Sequence, residues 1–345
     1  MRPSAAPQFG FPALAALLII TWTQISFCSV PVPLLQVTEL YQQSDIVVIG
    51  QVQTVSIIET TFINLSSARR HGKVMRATLL IDKLIKGDPQ SASLSCEFFQ
   101  PDDFLGFSPI PKGQYGMFFL KSSPSNIVSV TSPYYPYIIA LPDHIETNES
   151  GLSRVAQELA IVLNSPKISL EQKMQAISAI ETIDSPSVNI LLKDAFKISN
   201  EQLEIGIASA LLKRGDITVL EYAVINLLTP PQSIDRNQLL RLVLSIETGI
   251  HDPNSLPQLV RLLKMKEAQF RRPIAQAIRL TQSQSAIDPL STLLEDTDLE
   301  IRYVAVIGLA EITGQYEWGP AQDLFQNNEQ RYLDFWKEWS KSRQK

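Results

Sequence analysis

AIDPLSTLLEDTDLEIRYVAVIGLAEI, residues 286–312, reads as two apolar-periodic segments around a short acidic turn. The first segment predicts one helix. The second opens on Glu300-Ile301-Arg302, continues through Ala305, Leu309 and Ile312 at helical spacing, and predicts another. Asp296 and Asp298 suit the positive N-terminus of that second helix. Arg302 is placed to reach back to an acidic turn in its own unit or the next. Ala305 and Gly308 are small where two helices must approach closely. Asp296, Glu300 and Arg302 therefore read as a structural turn network, not as a catalytic carboxylate pair with a partner.

Working outward, the same pattern recurs. Ser187–Leu192, Ile217–Tyr222, Ser255–Val260 and Ala286–Ser291 align, with Val188, Thr218, Leu256 and Ile287 at 30, 38 and 31 residues from one to the next. The long interval contains Thr229-Pro230-Pro231-Gln232-Ser233, an inserted loop. Further helical stripes stand at Leu152, Val155, Leu159, Val162 and Leu163, and at Met174, Ile177, Ile180 and Ile183. Self-similarity at this period predicts stacked helix pairs, about five between 151 and 314. The unit at 286–312 resembles a HEAT repeat, which implies an α-helical solenoid with an extended concave surface for protein partners. The earlier units keep the apolar spacing and read as lacking the acidic turn and the arginine. In the tail, 315–345, Tyr332, Phe335, Trp336 and Trp339 lie on one helical face and predict a helix capping the open end of the stack. The tail is similar to those that follow HEAT units in other exported bacterial proteins.

Residues 35–143 have a period near two instead. A short amphipathic segment, Leu35–Gln43, precedes Asp45–Val55, which is β-branched and interrupted by Gly50. Val74–Ile85 alternates until the turn Lys86-Gly87-Asp88-Pro89. Ala92–Phe99, Tyr115–Lys121, Asn126–Thr131 and Tyr137–Leu141 complete six expected strands. Helix plus short strands predicts a small antiparallel β-barrel-like domain. Ser44–Val52, Leu79–Gly87 and Lys112–Leu120 resemble an N-terminal module of exported bacterial proteins, similar in layout to OB-like, netrin-type barrels. A linker, 144–150, separates this part from the helices. The expected fold class is therefore multidomain α and β: a β-barrel-like domain, then a HEAT-like solenoid.

The N-terminus reads as an address. Arg2, the apolar run Ala13–Trp22, and Ser26 and Cys28 before a cleavage site mark residues 1–28 as a signal peptide. The run is too short for a spanning helix, and no later stretch approaches one. Cys28 sits where a lipid anchor would attach, but bulky Phe27 departs from the lipobox pattern. A proline-rich spacer, 29–34, follows. Cleavage leaves one cysteine, Cys96, so no internal disulfide is expected; it reads as a buried small hydrophobe. Export to the periplasm or cell surface is the expected localisation.

With 30 Lys+Arg against 35 Asp+Glu, the net charge of −5 offers no field for nucleic acid. The 14 glycines in 345 residues, about 4%, fall below the roughly 7% average and argue against a glycine-rich nucleotide-binding fold. His71, His144 and His251 are dispersed and predict no metal centre, and no cofactor or catalytic motif is read. Arg69-Arg70-His71-Gly72-Lys73 reads as a solvated hairpin tip, since nucleic-acid binding would need more aromatics than Phe62. Two surfaces are candidates for partners. One is the basic segment at Arg261, Lys264, Lys266, Arg271 and Arg272, which reads more simply as a solvated face partly neutralised by residues 295–300; the other is Tyr134, Tyr135 and Tyr137. The leading expectation is a non-enzymatic, exported protein-interaction scaffold. The alternatives are a HEAT-repeat enzyme resembling bilin lyases, against which export argues, and a glycan- or lipid-binding β module on a helical stalk.

Overall fold

The computed structural model describes residues 34–65, 68–102, 109–123, 127–143 and 149–343. The expected signal peptide with Cys28, the spacer up to 33, and His144 lie outside the described residues. The described residues form one compact unit.

Helix α1 (Val37–Gln43) leads into strands β1 (Ile46–Leu65), β2 (Ala68–Lys86), β3 (Ser93–Pro101), β4 (Tyr115–Lys121) and β5 (Val128–Val130). The strand order is β1-β2-β3-β5-β4, and β4 pairs back onto β1, so the sheet closes on itself. Two expectations need correction. The sheet is not wholly antiparallel: β5 inserts between β3 and β4 and runs parallel to β3 at Cys96↔Val128. Tyr137–Leu141 is not a strand but a single bridge, Met117↔Ile138. β1 and β2 are also far longer than the alternation indicated and pair continuously to Leu65↔Ala68. At Gly50 the β2 backbone comes so close that a Cβ would stand 2.2 Å from the Leu80 oxygen, which explains the glycine in this strand.

β4 is buried on both faces. Phe118 and Leu120 point into the sheet's interior with Val48, Val52, Leu79, Cys96 and Phe98. Met117 and Phe119, with Val47 and Ile49 of β1, join α1 and the helices in a second core. This is why Gly116–Leu120 reads as an unbroken apolar run. Helix α1 ties into the helices by its N-terminal end: the Val37 amide donates to Thr182 Oγ1 at 3.0 Å, and Thr38 Oγ1 donates to the Thr182 carbonyl at 3.0 Å.

The helical part pairs α2 (Gly151–Asn164) with α3 (Leu170–Ile180), α4 (Ser187–Ile198) with α5 (Glu201–Lys213), and α6 (Leu220–Leu228) with α7 (Arg236–Gly249). It continues with α8 (Leu256–Leu262) against α9 (Ala268–Leu280) and α10 (Ile287–Leu293) against α11 (Leu299–Thr313). The second helices of the pairs also pack in series, α3 on α5, α5 on α7, α7 on α9 and α9 on α11. α5 lies mid-stack and is buried continuously from Ile205 to Leu212. The repeat register differs from the sequence alignment at one unit. Short 3-10 turns capped by Asp216, Asp252 and Ser283 precede α6, α8 and α10, so Leu220, not Thr218, is the counterpart of Leu256 and Ile287. α11 ends at Gly314 in the left-handed region, φ 73°.

Helix α12 (Gln322–Arg343), bent at Asn328, packs on α10 and α11. Trp336 is fully buried and its indole N–H donates to the Trp318 carbonyl at 3.0 Å. Phe335 stacks flat on Trp318 with centroids 3.7 Å apart.

Candidate functional site

The basic segment is largely engaged within the molecule. Arg261 forks onto both carboxylate oxygens of Glu221 at 2.8 and 2.7 Å. Arg272 pairs with Asp298 through two nitrogens, Nε to Oδ1 at 2.8 Å and Nη2 to Oδ2 at 2.6 Å. Arg271 is buried; it grips Asp296 at 3.0 and 2.8 Å and donates to the Met265 and Lys266 carbonyls at 2.9 and 2.6 Å. Lys264 and Lys266 remain exposed.

Arg271 does in its unit what Arg302 does in the next. Arg302 donates to the Asp296 carbonyl at 2.8 Å and to Glu329 of α12 at 2.5 Å. The penultimate unit therefore keeps the turn arginine, contrary to the sequence expectation, and finds its acid in the following unit. Asp298 caps α11 by accepting from the Ile301 amide at 3.2 Å, while Glu300 accepts from Gln322 at 2.9 and 3.0 Å. Burial pushes the Asp296 carboxyl up, but the Arg271 hydrogen bonds, the Asp298 amide and the Arg271 charge outweigh it and hold it below the ordinary value. At Asp298 the Arg272 hydrogen bond is the largest influence and again lowers the carboxyl. Further unit-to-unit ties are Arg279 on Glu311 and Lys213 on Glu181.

These ties leave a groove on the second-helix face between α5 and α7, with a volume of about 420 Å3. Ser209, Lys213, Arg241, Leu244 and Thr248 line it. Leu244 is 44% exposed, and Arg241 is exposed beside it. Ser209 is buried, and its hydroxyl is without a hydrogen-bond partner.

The tyrosines lie at a second groove, of about 710 Å3, where the sheet meets α3. Tyr115, Tyr135 and Tyr137 line it with Lys112, Gln172 and Gln175. Tyr134 is half-buried. Burial raises the Tyr135 and Tyr137 hydroxyls above the ordinary value. Tyr115 rises further, through burial, its hydrogen bond to Asp82, and the charges of Asp82, Glu158 and Asp143. Beneath this seam lies a charged cluster that the sequence reading missed. Glu158 of α2 is fully buried and accepts from Lys83 of β2 at 2.9 Å and from Arg154 at 2.5 Å. Lys83 also donates to the Asp143 carbonyl at 2.7 Å. The available signal was an acid on the apolar stripe of α2, between Val155 and Leu159.

The remaining chemistry-bearing residues are scattered. His71 contacts Asp102 at 2.6 Å on the β1–β2 arm, and His251 contacts the Glu247 carbonyl at 3.0 Å. Cys96 is buried inside the sheet, where burial and then Glu97 push its thiol up to about 12. Among the described residues no group of three or more His, Cys, Asp or Glu is placed to hold a metal, and no helix is long and apolar enough to cross a membrane.

No protein-family model matches the sequence, and no curated protein matches it. Among solved structures, a structural-genomics crystal structure of an engineered protein is similar at 21% identity and a TM-score of 0.33, covering 46% of this chain and 79% of that one. A likeness of that extent carries no argument about fold or function.

Proposed function

We propose that the chain is an exported, non-enzymatic interaction protein. In this reading an OB/netrin-like β module is joined to a HEAT-like α-solenoid whose second-helix face receives a segment of a partner protein. The carrying observation is the α5–α7 groove, lined by Ser209 and Lys213 of α5 and by the exposed Leu244 and Arg241 of α7. A peptide supplies what the exposed groups lack: an apolar side chain for the leucine and an acid for the arginine. Stacked repeats hold such a surface rigid, which lowers the ordering cost of binding.

The test is capture by crosslinking from an envelope extract, with the full mature chain as bait. One partner should be enriched, and Arg241→Glu or Leu244→Asp should reduce its recovery at least tenfold without lowering the melting temperature. Recovery of no partner, or equal recovery by the variants, sinks the reading.

The seam groove favours a second reading, in which the β module binds a glycan. Tyrosine faces with glutamine amides and a lysine suit a sugar's alternating apolar and hydroxyl surfaces, and the volume lies within the ligand range. Saturable oligosaccharide binding that Tyr137→Ala abolishes would support it; a flat titration across a panel would end it.

A further inference from the structure

The long hairpin of β1 and β2 carries a surface that neither reading uses. On its outer side β1 pairs with β4 only from Ile46 to Gln51. Beyond that, the described residues place no strand against β1, although it stays paired to β2 as far as Leu65. The free edge runs past exposed Ile57, Ile58 and Phe62, at 57%, 42% and 54%. Protective devices along it are few. Between Gln53 and Asn64 there is no Lys, Arg or Pro, and Glu59 is the one charge. A bulge between Ile57 and Glu59 interrupts the ladder, after which Glu59 to Leu65 runs in regular register.

We propose that this edge pairs with the same edge of a second copy, antiparallel about a two-fold axis at Phe62. The stretch Glu59–Leu65 is complementary to itself in that register. Phe62 meets Phe62, Thr61 meets Ile63, and Thr60 meets Asn64. Each Glu59 meets the partner copy's Leu65, so the two carboxylates sit at opposite ends of the pairing. There each acid faces the tip of the other hairpin, where β2 carries Arg69 and Arg70. Each Phe62 ring already has the Arg69 guanidinium over it at 4.7 Å and His71 at 4.7 Å, so two such clusters meet on the axis. The arms keep the bodies apart. Val52, where the Gln114 carbonyl still holds β1, lies ten residues from the axis, about 33 Å at ~3.3 Å per residue. A pairing this short buries less than the ~1,600 Å2 of a standard interface, so association in the micromolar range is expected.

Light scattering and sedimentation of the full mature chain across the micromolar range test this. The wild type should pass from monomer to dimer with concentration. Phe62→Lys and Phe62→Glu should each weaken dimerisation at least tenfold, because each sets like charges together on the axis. An equimolar mixture of the two should restore it. Phe62 is exposed near the tip, so unchanged melting temperatures would show that both variants fold. A wild type that stays monomeric, a Phe62→Lys protein that still dimerises, or a mixture that fails to recover overturns the proposal. The test requires no partner protein or glycan, so its outcome is independent of the groove readings.

Discussion

Arg271 shows how one side chain can join two repeat units. Its guanidinium satisfies two carbonyls of its own turn and the Asp296 carboxylate of the next, in a site where both side chains are about a tenth exposed. Removing it leaves a buried carboxylate without its counter-charge. Arg271→Met should therefore cost ~3–5 kcal/mol at neutral pH, measurable by urea denaturation. A loss under 1 kcal/mol would show that the pair is not structural. The pH dependence has a definite sign. The Asp296 carboxyl is lowered in the fold, so its stabilisation is present above the unfolded value near 4 and fades as pH falls through the folded value. Wild-type stability should drop on acidification below about pH 4, and Arg271→Met should flatten that drop. The sequence reads Arg271 as part of a solvated basic face partly neutralised by residues 295–300, with a partner surface as the alternative, and does not show that the pair is buried. The acid it serves stands in another unit, 25 residues away.

Legibility at the scale of elements followed the asymmetry of burial. The 286–312 unit was readable because its apolar residues recur at helical spacing and its turn carries the cap of the second helix, Asp298. β4 was readable as a strand, but its two buried faces hid the fact that it serves two cores. The arm of β1 and β2 extends beyond the strands read at Asp45–Val55 and Val74–Ile85, because residues such as Thr54, Ser56, Thr60 and Asn64 are exposed and no buried face imposes a period. Helix α12 illustrates the opposite case. Its aromatic face was legible from spacing, and it packs as a dense cluster around Trp336, with Phe335 on Trp318 and Trp339 edge-on. Trp336→Ala should cost ~3–5 kcal/mol and release α12 first, seen as rapid amide exchange in 322–343 while α5 stays protected. Uniform exchange across α5 and α12 would contradict that order.

For the whole molecule, the sheet and the helices share a core, with Val47, Ile49, Met117 and Phe119 set against the helical side. Glu158 adds a buried ionic tie across the same seam. Composition and period divided the chain correctly into β and α parts, but they carry no information about a contact between Lys83 and Glu158, 75 residues apart. Glu158→Gln should lower stability by ~3 kcal/mol, because Lys83 is left buried beside a neutral amide. It should also split a single calorimetric transition into two. One sharp transition of unchanged midpoint would show that the apolar contacts alone couple the parts.

Both ends of the helical stack are closed, one by the β sheet and α1, the other by α12. Neither end offers a fresh face onto which another unit can dock. Lengthening by duplication therefore has one tolerated place, the middle, where α5, α7 and α9 succeed one another with like faces. A chain with an extra pair inserted there should still fold, whereas a further pair docked on α11 would have to displace α12 and its aromatic cluster. Growth from within, at fixed ends, is the route by which such a molecule can widen its reach.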